Sequence, residues 1–281
     1  PAIEEVTAGG AKGGGKSLLL CRWALLHAKA IINYLGLLPS VTPPPVGFLG
    51  RKRGVDFSDT TLETWKKFIP SELYTIKEQA KEIIILNTVK IAFGGLDDEE
   101  NVKKFNSAEY VFIGIDQAEE CDRSDVAMLR ATLYRFNKAL PNSFYKVLFT
   151  ANPADCFLID DFQPEHPELR AANRAFIQML PTDNEFIDCK KYVAQLQEAF
   201  KHAPELVAAY VEGKWSTMQS AKFVISAELI EQAHKTRKRY LHNKFLVTCD
   251  PAWTGEKSDE IVIYVLNNAK IIDKKFMFNK S

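Results

Sequence analysis

Two hydrophobic patterns share this chain. Short apolar runs at Val46–Gly50, Tyr110–Ile115, Lys146–Phe149 and Ala175–Leu180 read as strands, those at Tyr110–Ile115 and Lys146–Phe149 as strands buried on both faces, as in a parallel sheet. Between them apolar residues recur at helical spacing over Ser17–Leu37, Thr61–Phe68, Ser71–Lys81, Ser124–Asn137, Lys190–Phe200 and Pro204–Val211, which predicts helices. Ile3–Thr7 predicts a short first strand. Glu82–Leu86 and Val89–Phe93, joined by Asn87-Thr88, predict a hairpin. Strands alternating with helices give an α/β fold, a mostly parallel central sheet flanked by helices. Beyond residue 243 the pattern changes to successive strands at Lys244–Cys249, Glu260–Leu266 and Lys270–Phe278. We therefore divide the chain into 1–220, a linker at 221–243 and a second domain over 244–281.

The segment between the first strand and the first helix carries the chemistry. Gly10-Ala11-Lys12-Gly13-Gly14-Gly15-Lys16-Ser17 fits the phosphate-binding pattern G-x-x-x-x-G-K-[ST] at every fixed position. Three consecutive glycines let backbone N–H groups turn toward a phosphate. Lys16 then reaches the outer phosphates, and the Ser17 hydroxyl takes a place on Mg²⁺. The helix that follows adds the partial positive charge of its N-terminus. Strand, loop and helix agree with the motif, which sets it apart from a chance glycine turn.

Strand ends supply the remaining candidates. Asp116 closes the Tyr110–Ile115 run, where a carboxylate can hold Mg²⁺ through its water shell; the bland alternative is a helix cap. Glu119 and Glu120 follow within a turn, and either can orient or deprotonate water. Thr150 and Asn152, at the tip of the Lys146–Phe149 strand, can sense a γ-phosphate, though Asn-Pro is also a common turn. Arg51-Lys52-Arg53 can supply a transition-state arginine in cis or in trans, or be a solvated basic turn. The acidic Asp97–Glu100 reads as a helix N-terminus rather than a metal site. His234–Arg239 is strongly basic and reads as a solvated helix face or a contact to a phosphate backbone.

Composition changes this picture little. Lysine plus arginine equals aspartate plus glutamate at 36 each, so net charge neither supports nor excludes a nucleic-acid partner. Apolar residues make up 46%, enough for a sizeable core. The five cysteines, Cys21, Cys121, Cys156, Cys189 and Cys249, form no C-x-x-C pair, which argues against zinc and suits a reducing cytosol. No membrane span or signal peptide is expected. So little chain precedes Gly10 that we expect it to begin inside a longer protein.

In this order the segments resemble the large terminase subunit of tailed bacteriophages. The matches are Gly10–Ser17, Arg51-Lys52 with Ser58 to Trp65 after it, Lys90-Ile91-Ala92-Phe93-Gly94-Gly95, and Asp116-Gln117-Ala118-Glu119. They continue with Thr150-Ala151-Asn152-Pro153, Gly213-Lys214-Trp215 and Cys249-Asp250-Pro251-Ala252. The resemblance implies an ATPase that drives double-stranded DNA into a procapsid, with ATP and Mg²⁺. Lys16 and Ser17 would sit at phosphate and metal, Asp116 on the metal, and Arg51 would be the arginine finger. Thr150 and Asn152 would be the coupling element. Asp250 would be a nuclease ligand for Mg²⁺ or Mn²⁺ in a ribonuclease-H-like domain that is incomplete here and that cuts concatemeric DNA in the longer protein. The implied partners are a portal protein, a small terminase subunit and copies of the chain in a ring. The implied place is the cytoplasm of an infected host, transiently at the portal. The family usually has glutamate directly after the strand-end aspartate; this chain has Gln117, so Glu119 becomes the expected catalytic carboxylate. A helicase- or recombination-type ATPase, and a nucleotide-dependent switch that barely hydrolyses ATP, are the alternatives.

Overall fold

The structure is a computed structural model that describes residues 2–36, 43–97, 108–136, 140–220, 245–250, 261–267 and 270–277. The chain divides into two compact units, Pro1–Phe223 and Val224–Ser281.

The first unit is built on an eight-stranded sheet. Its strands are β1 (Glu5–Gly10), β2 (Val46–Arg51), β3 (Tyr74–Lys77), β4 (Glu82–Ile85), β5 (Val89–Gly95), β6 (Tyr110–Ile115), β7 (Lys146–Ala151) and β8 (Arg174–Met179). They lie in the order β3-β4-β5-β2-β6-β7-β1-β8. From β5 to β8 every neighbouring pair is parallel, while β3 and β4 add an antiparallel edge. The parallel strands therefore all end at one edge of the sheet, where ligands of such folds bind.

Strand β6 is buried at every position, as its unbroken apolar run predicts. Helix α1 (Lys16–Leu35) buries Leu20, Cys21, Ala24, Leu25, Ala28 and Ile31. They join one core cluster with Ile83, Ile85, Ile91 and Val111. A second cluster gathers Phe48, Ile113, Ile115, Phe149, Phe162 and Trp215. Helix α1 is long and apolar enough by length and composition to cross a membrane; here its apolar face belongs to this core.

The remaining helices are α2, spanning 54–68, α3 (Arg123–Arg130), α4 (Phe157–Phe162), α5 (Cys189–Ala199), α6 (Pro204–Glu212) and α7 (Ser216–Ser220). In α2 the middle, Phe57–Leu62, is wound as a π-helix. The expected hairpin forms, with Ile85 paired to Val89 and the chain reversing through Leu86 and Asn87 in the left-handed conformation at φ 45° and 55°.

One expected element is wrong. Over Ser71–Lys81 we expected a helix, but Ser71–Leu73 is a single 3₁₀ turn and Tyr74–Lys77 is the edge strand β3, paired to β4. Tyr-Thr-Ile-Lys alternates half-buried and exposed positions; its aromatic and β-branched residues fit a strand once β4 offers an unpaired edge. The helix over Ser124–Asn137 is also shorter than expected, ending as α3 at Arg130.

The second unit contains an antiparallel sheet in the order β11-β10-β9, formed by β9 (Phe245–Asp250), β10 (Ile261–Asn267) and β11 (Lys270–Met277). Asp250 closes β9, and its side chain lies outside the described part of the structure. Residues 98–100 of the acidic run, the whole linker at 221–243 with its basic run at 234–239, and the loop after Asp250 also fall outside the described residues.

Candidate nucleotide site

The site is assembled by topology. Strand β7 lies between β1 and β6, so the phosphate loop and Asp116 stand two strand spacings apart, about 10 Å. The tip of β7, Thr150 to Asn152, fills the gap. All three strand ends open into one cavity of about 670 Å³, lined by Gly13, Lys16, Ser17, Asp116, Thr150 and Asn152 among others. This is an ordinary volume for a small-molecule site.

The loop is held open by its glycines and by what packs behind it. Gly13 has φ 83°, and a Cβ there would lie 2.5 Å from the Tyr192 ring. Gly10 has φ 138°, and its Cβ would meet the Met179 carbonyl at 2.5 Å. Any larger residue at either place would be strained and would push the loop off its support. The Lys12 N–H donates to the Tyr210 carbonyl at 2.9 Å, and its ammonium lies 4.1 Å from the centre of the Tyr210 ring. Lys12 thus pins the loop to α6. Asn184 donates to the Gly13 carbonyl at 2.7 Å.

Lys16 donates to the Ala11 and Gly10 carbonyls at 2.6 and 3.2 Å. Burial pushes its ammonium down to about 8, against the pull of Glu119 and Asp116. A cation short of solvation is poised to exchange these carbonyls for phosphate oxygens, which carry full charge. Gly15 begins α1 in the left-handed conformation with no side-chain cap, so the first N–H groups of the helix remain a place for an anion.

Asp116 is 3% exposed. Its Oδ2 accepts from the Thr61 hydroxyl at 2.7 Å and its Oδ1 from the Thr150 hydroxyl at 2.6 Å. Two hydroxyl donors fix the carboxylate while leaving each oxygen a free lone pair. Among the described residues no group of three or more His, Cys, Asp or Glu is placed to hold a metal. Mg²⁺ keeps its waters and takes one or two carboxylates plus phosphate oxygens. Ser17 and Asp116 on one cavity are the donors such an ion would use.

Glu119 and Glu120 are neighbours with different surroundings. Glu120 forms a two-pronged pair with Arg51, at 3.0 and 3.2 Å. Arg51 is 8% exposed and also donates to the Thr60 hydroxyl at 3.1 Å. Burial alone would lower the Arg51 guanidinium; its bond to Glu120 raises it instead. Arg51 is thus held beside the site by Glu120 and does not line the cavity. The rest of the basic triplet is also paired: Lys52 with Asp122 and Asp125, and Arg53 with Asp56.

Glu119 lies behind Asn152, whose amide donates to Oε1 at 2.6 Å, while Oε2 is buried with no hydrogen-bond partner among the described residues. Burial pushes its carboxyl up to about 7, against the N–H donors beside it. Gln117, in the left-handed conformation at φ 49°, lines the cavity in its place.

Sequence reading missed Thr61, Asn184, Phe186 and Tyr192. Thr61 lies within the Ser58–Trp65 match, but the π-turn that sends Thr60 to Arg51 and Thr61 to Asp116 has no sequence signature. The other three belong to the segment after β8, which no spacing ties to the loop.

No protein-family model matches the chain, and no curated protein matches it in sequence. Solved structures do. The large terminase of a thermophilic bacteriophage superposes with TM-scores of 0.56 in one crystal form and 0.53 in another, at 14% and 12% identity. The same protein in complex with ADP gives 0.54 at 13% identity. The fold is terminase-like. Each match covers 98% of this chain and 63% of the terminase, so the chain spans less than two thirds of the proteins whose fold it shares.

Proposed function

We propose that the first unit is an Mg²⁺-dependent ATPase and that it serves as the motor of a DNA-packaging terminase. The observation that carries the reading is the meeting of Lys16, Ser17, Asp116, Thr150 and Asn152 on one cavity. The likeness to a terminase crystallised with ADP supports it. Lys16 and the first N–H groups of α1 would bind and orient the β- and γ-phosphates. Ser17 and Asp116 would hold Mg²⁺, which neutralises charge on the transferring phosphoryl group. Thr150 would keep Asp116 in place. Asn152 would report changes at the γ-phosphate position to Glu119, the proposed acceptor of the proton from the attacking water. By the same reading, duplex DNA, a portal protein, a small subunit and further copies of the chain are partners, met at the portal in the host cytoplasm. Asp250 would serve a Mg²⁺- or Mn²⁺-dependent nuclease in the longer protein.

The test is steady-state hydrolysis of MgATP with and without duplex DNA. Turnover that duplex DNA stimulates, and that is lost in Asp116→Asn, supports the motor. Strand separation would favour a helicase instead.

A second reading is favoured by one feature. Glu119 is shielded by Asn152, its carboxyl raised by burial to about 7, and Gln117 cannot accept a proton. A chain that binds ATP tightly yet turns it over no faster than Glu119→Ala would be a nucleotide-dependent switch.

A further inference from the structure

Phe186 is the most exposed large apolar side chain among the described residues, at 82%. It is nonetheless held in place. Asn184 donates through its amide nitrogen to the Gly13 carbonyl and accepts through its amide oxygen from the Phe186 N–H, at 2.7 and 3.1 Å. One amide thus ties the backbone of Phe186 to the phosphate loop. An exposed aromatic fixed to a binding loop is a different object from a solvated surface residue.

Its position relative to the cavity gives it a ligand. Phe186 and Leu18 line the main cavity, and both also line an adjoining one of about 260 Å³. Asp116 and Asn152, where the γ-phosphate and metal are proposed to lie, line the main cavity. Neither residue lines the adjoining cavity, which shares Gly14, Gly15, Leu18, Asn184 and Phe186 with the main one. Arg22, Asp183 and Glu185 rim the adjoining cavity and offer hydrogen-bonding groups of both kinds to a ring edge. A nucleoside triphosphate has parts to match both: charged phosphates, and a base with a flat apolar face and polar edges.

We infer that Phe186 is the stacking platform for the base of the bound nucleotide, with Leu18 as the apolar surface beside it and Asn184 as the residue that positions the platform. The inference rests on the nucleotide reading of the cavity and adds where the base lies. Stacking accepts any planar base, and the large face of a purine gains most from it.

The experiment is calorimetric titration of the full chain with MgATP and, separately, with magnesium tripolyphosphate, which has the phosphates and no base. Phe186→Ala is expected to weaken MgATP about tenfold and to leave tripolyphosphate within twofold. Phe186→Trp is expected to restore MgATP affinity, with indole emission quenched by MgATP and not by tripolyphosphate. Phe186→Ala binding MgATP as tightly as the wild type would overturn the inference, as would equal losses for both ligands. A wild-type chain that binds both ligands equally leaves the phosphate site standing and removes the base contact. One that binds neither removes the nucleotide reading itself. The side chain is too exposed for its loss to unfold the protein, and unchanged far-ultraviolet circular dichroism verifies this.

Discussion

Two buried polar clusters sit at opposite ends of the same parallel strands, and they are satisfied to different degrees. At the starting edge Glu5 accepts from Arg130 at 2.7 Å through each oxygen and from Arg174 at 3.0 Å. Asp161 accepts from Arg123 and Arg130 at 2.8 and 3.1 Å. Burial alone would raise the Asp161 carboxyl, but the three arginines hold it below the usual carboxylate range. At the finishing edge Lys16 is lowered to about 8, Glu119 is raised to about 7, and Glu119 Oε2 has no hydrogen-bond partner among the described residues. Burial is common to both. What differs is whether each charge meets an opposite one. A closed network locks β1, β8, α3 and α4 together, whereas incompletely paired groups are what a charged ligand can complete.

The contrast breaks most readily at Lys16. Lys16→Ala is expected to lower MgATP turnover by about 10³-fold with little change in melting temperature; equal turnover would place the chemistry elsewhere. At the opposite edge the effects reverse. Arg130→Ala leaves two buried carboxylates short of a partner and should cost about 4 kcal/mol, seen as a melting temperature about 10 °C lower. The MgATP affinity of the folded fraction should not change. A loss of affinity with no loss of stability would show that the closed network is functional after all.

Protonation sharpens the comparison because the two edges respond to pH with opposite sign. Between 4.5, the ordinary value, and about 7, folded Glu119 keeps a proton that the unfolded chain has released. Its contribution is therefore full below pH 4.5 and is lost as pH rises through 7, about 3 kcal/mol in all. Glu119→Gln removes this slope, so the variant should gain on the wild type as pH rises across that window, read from urea midpoints without nucleotide. Asp161, depressed in the fold, contributes above the ordinary carboxylate value and loses its contribution as pH falls. The smallest effect is expected at Lys52, which pairs with exposed Asp122 and half-buried Asp125 outside the cavity. Lys52→Ala should cost under about 1 kcal/mol in the same urea measurement. A larger loss would mean that the basic triplet buttresses the site.

Much of this was legible in residue order. The phosphate loop, the buried β6 run ending at Asp116 and the β7 tip at Thr150 and Asn152 are local signals, and each appears at the edge where ligands bind. The fate of Arg51 was not legible, since a strand-end arginine reads the same whether it faces a phosphate or a glutamate. Nor was the difference between Glu119 and Glu120, adjacent in sequence and equal in intrinsic acidity. The expectation of a helix over Ser71–Lys81 failed because a strand edge supplied by β4 outweighed local propensity.

The sequence by itself determined that β6 and β7 are buried strands, where the glycines free the backbone, and which polar residues stand at strand tips. These follow from side-chain volume, branching and apolar spacing, which act within a few residues. Only the tertiary structure decided the strand order that places β7 between β1 and β6, the pairing that sends Glu120 to Arg51 and leaves Glu119 buried against Asn152, and the amide bridge that brings Phe186 beside Gly13. Those depend on contacts between residues far apart in the chain, and the free energy of such a contact exists only once packing has excluded water from around it.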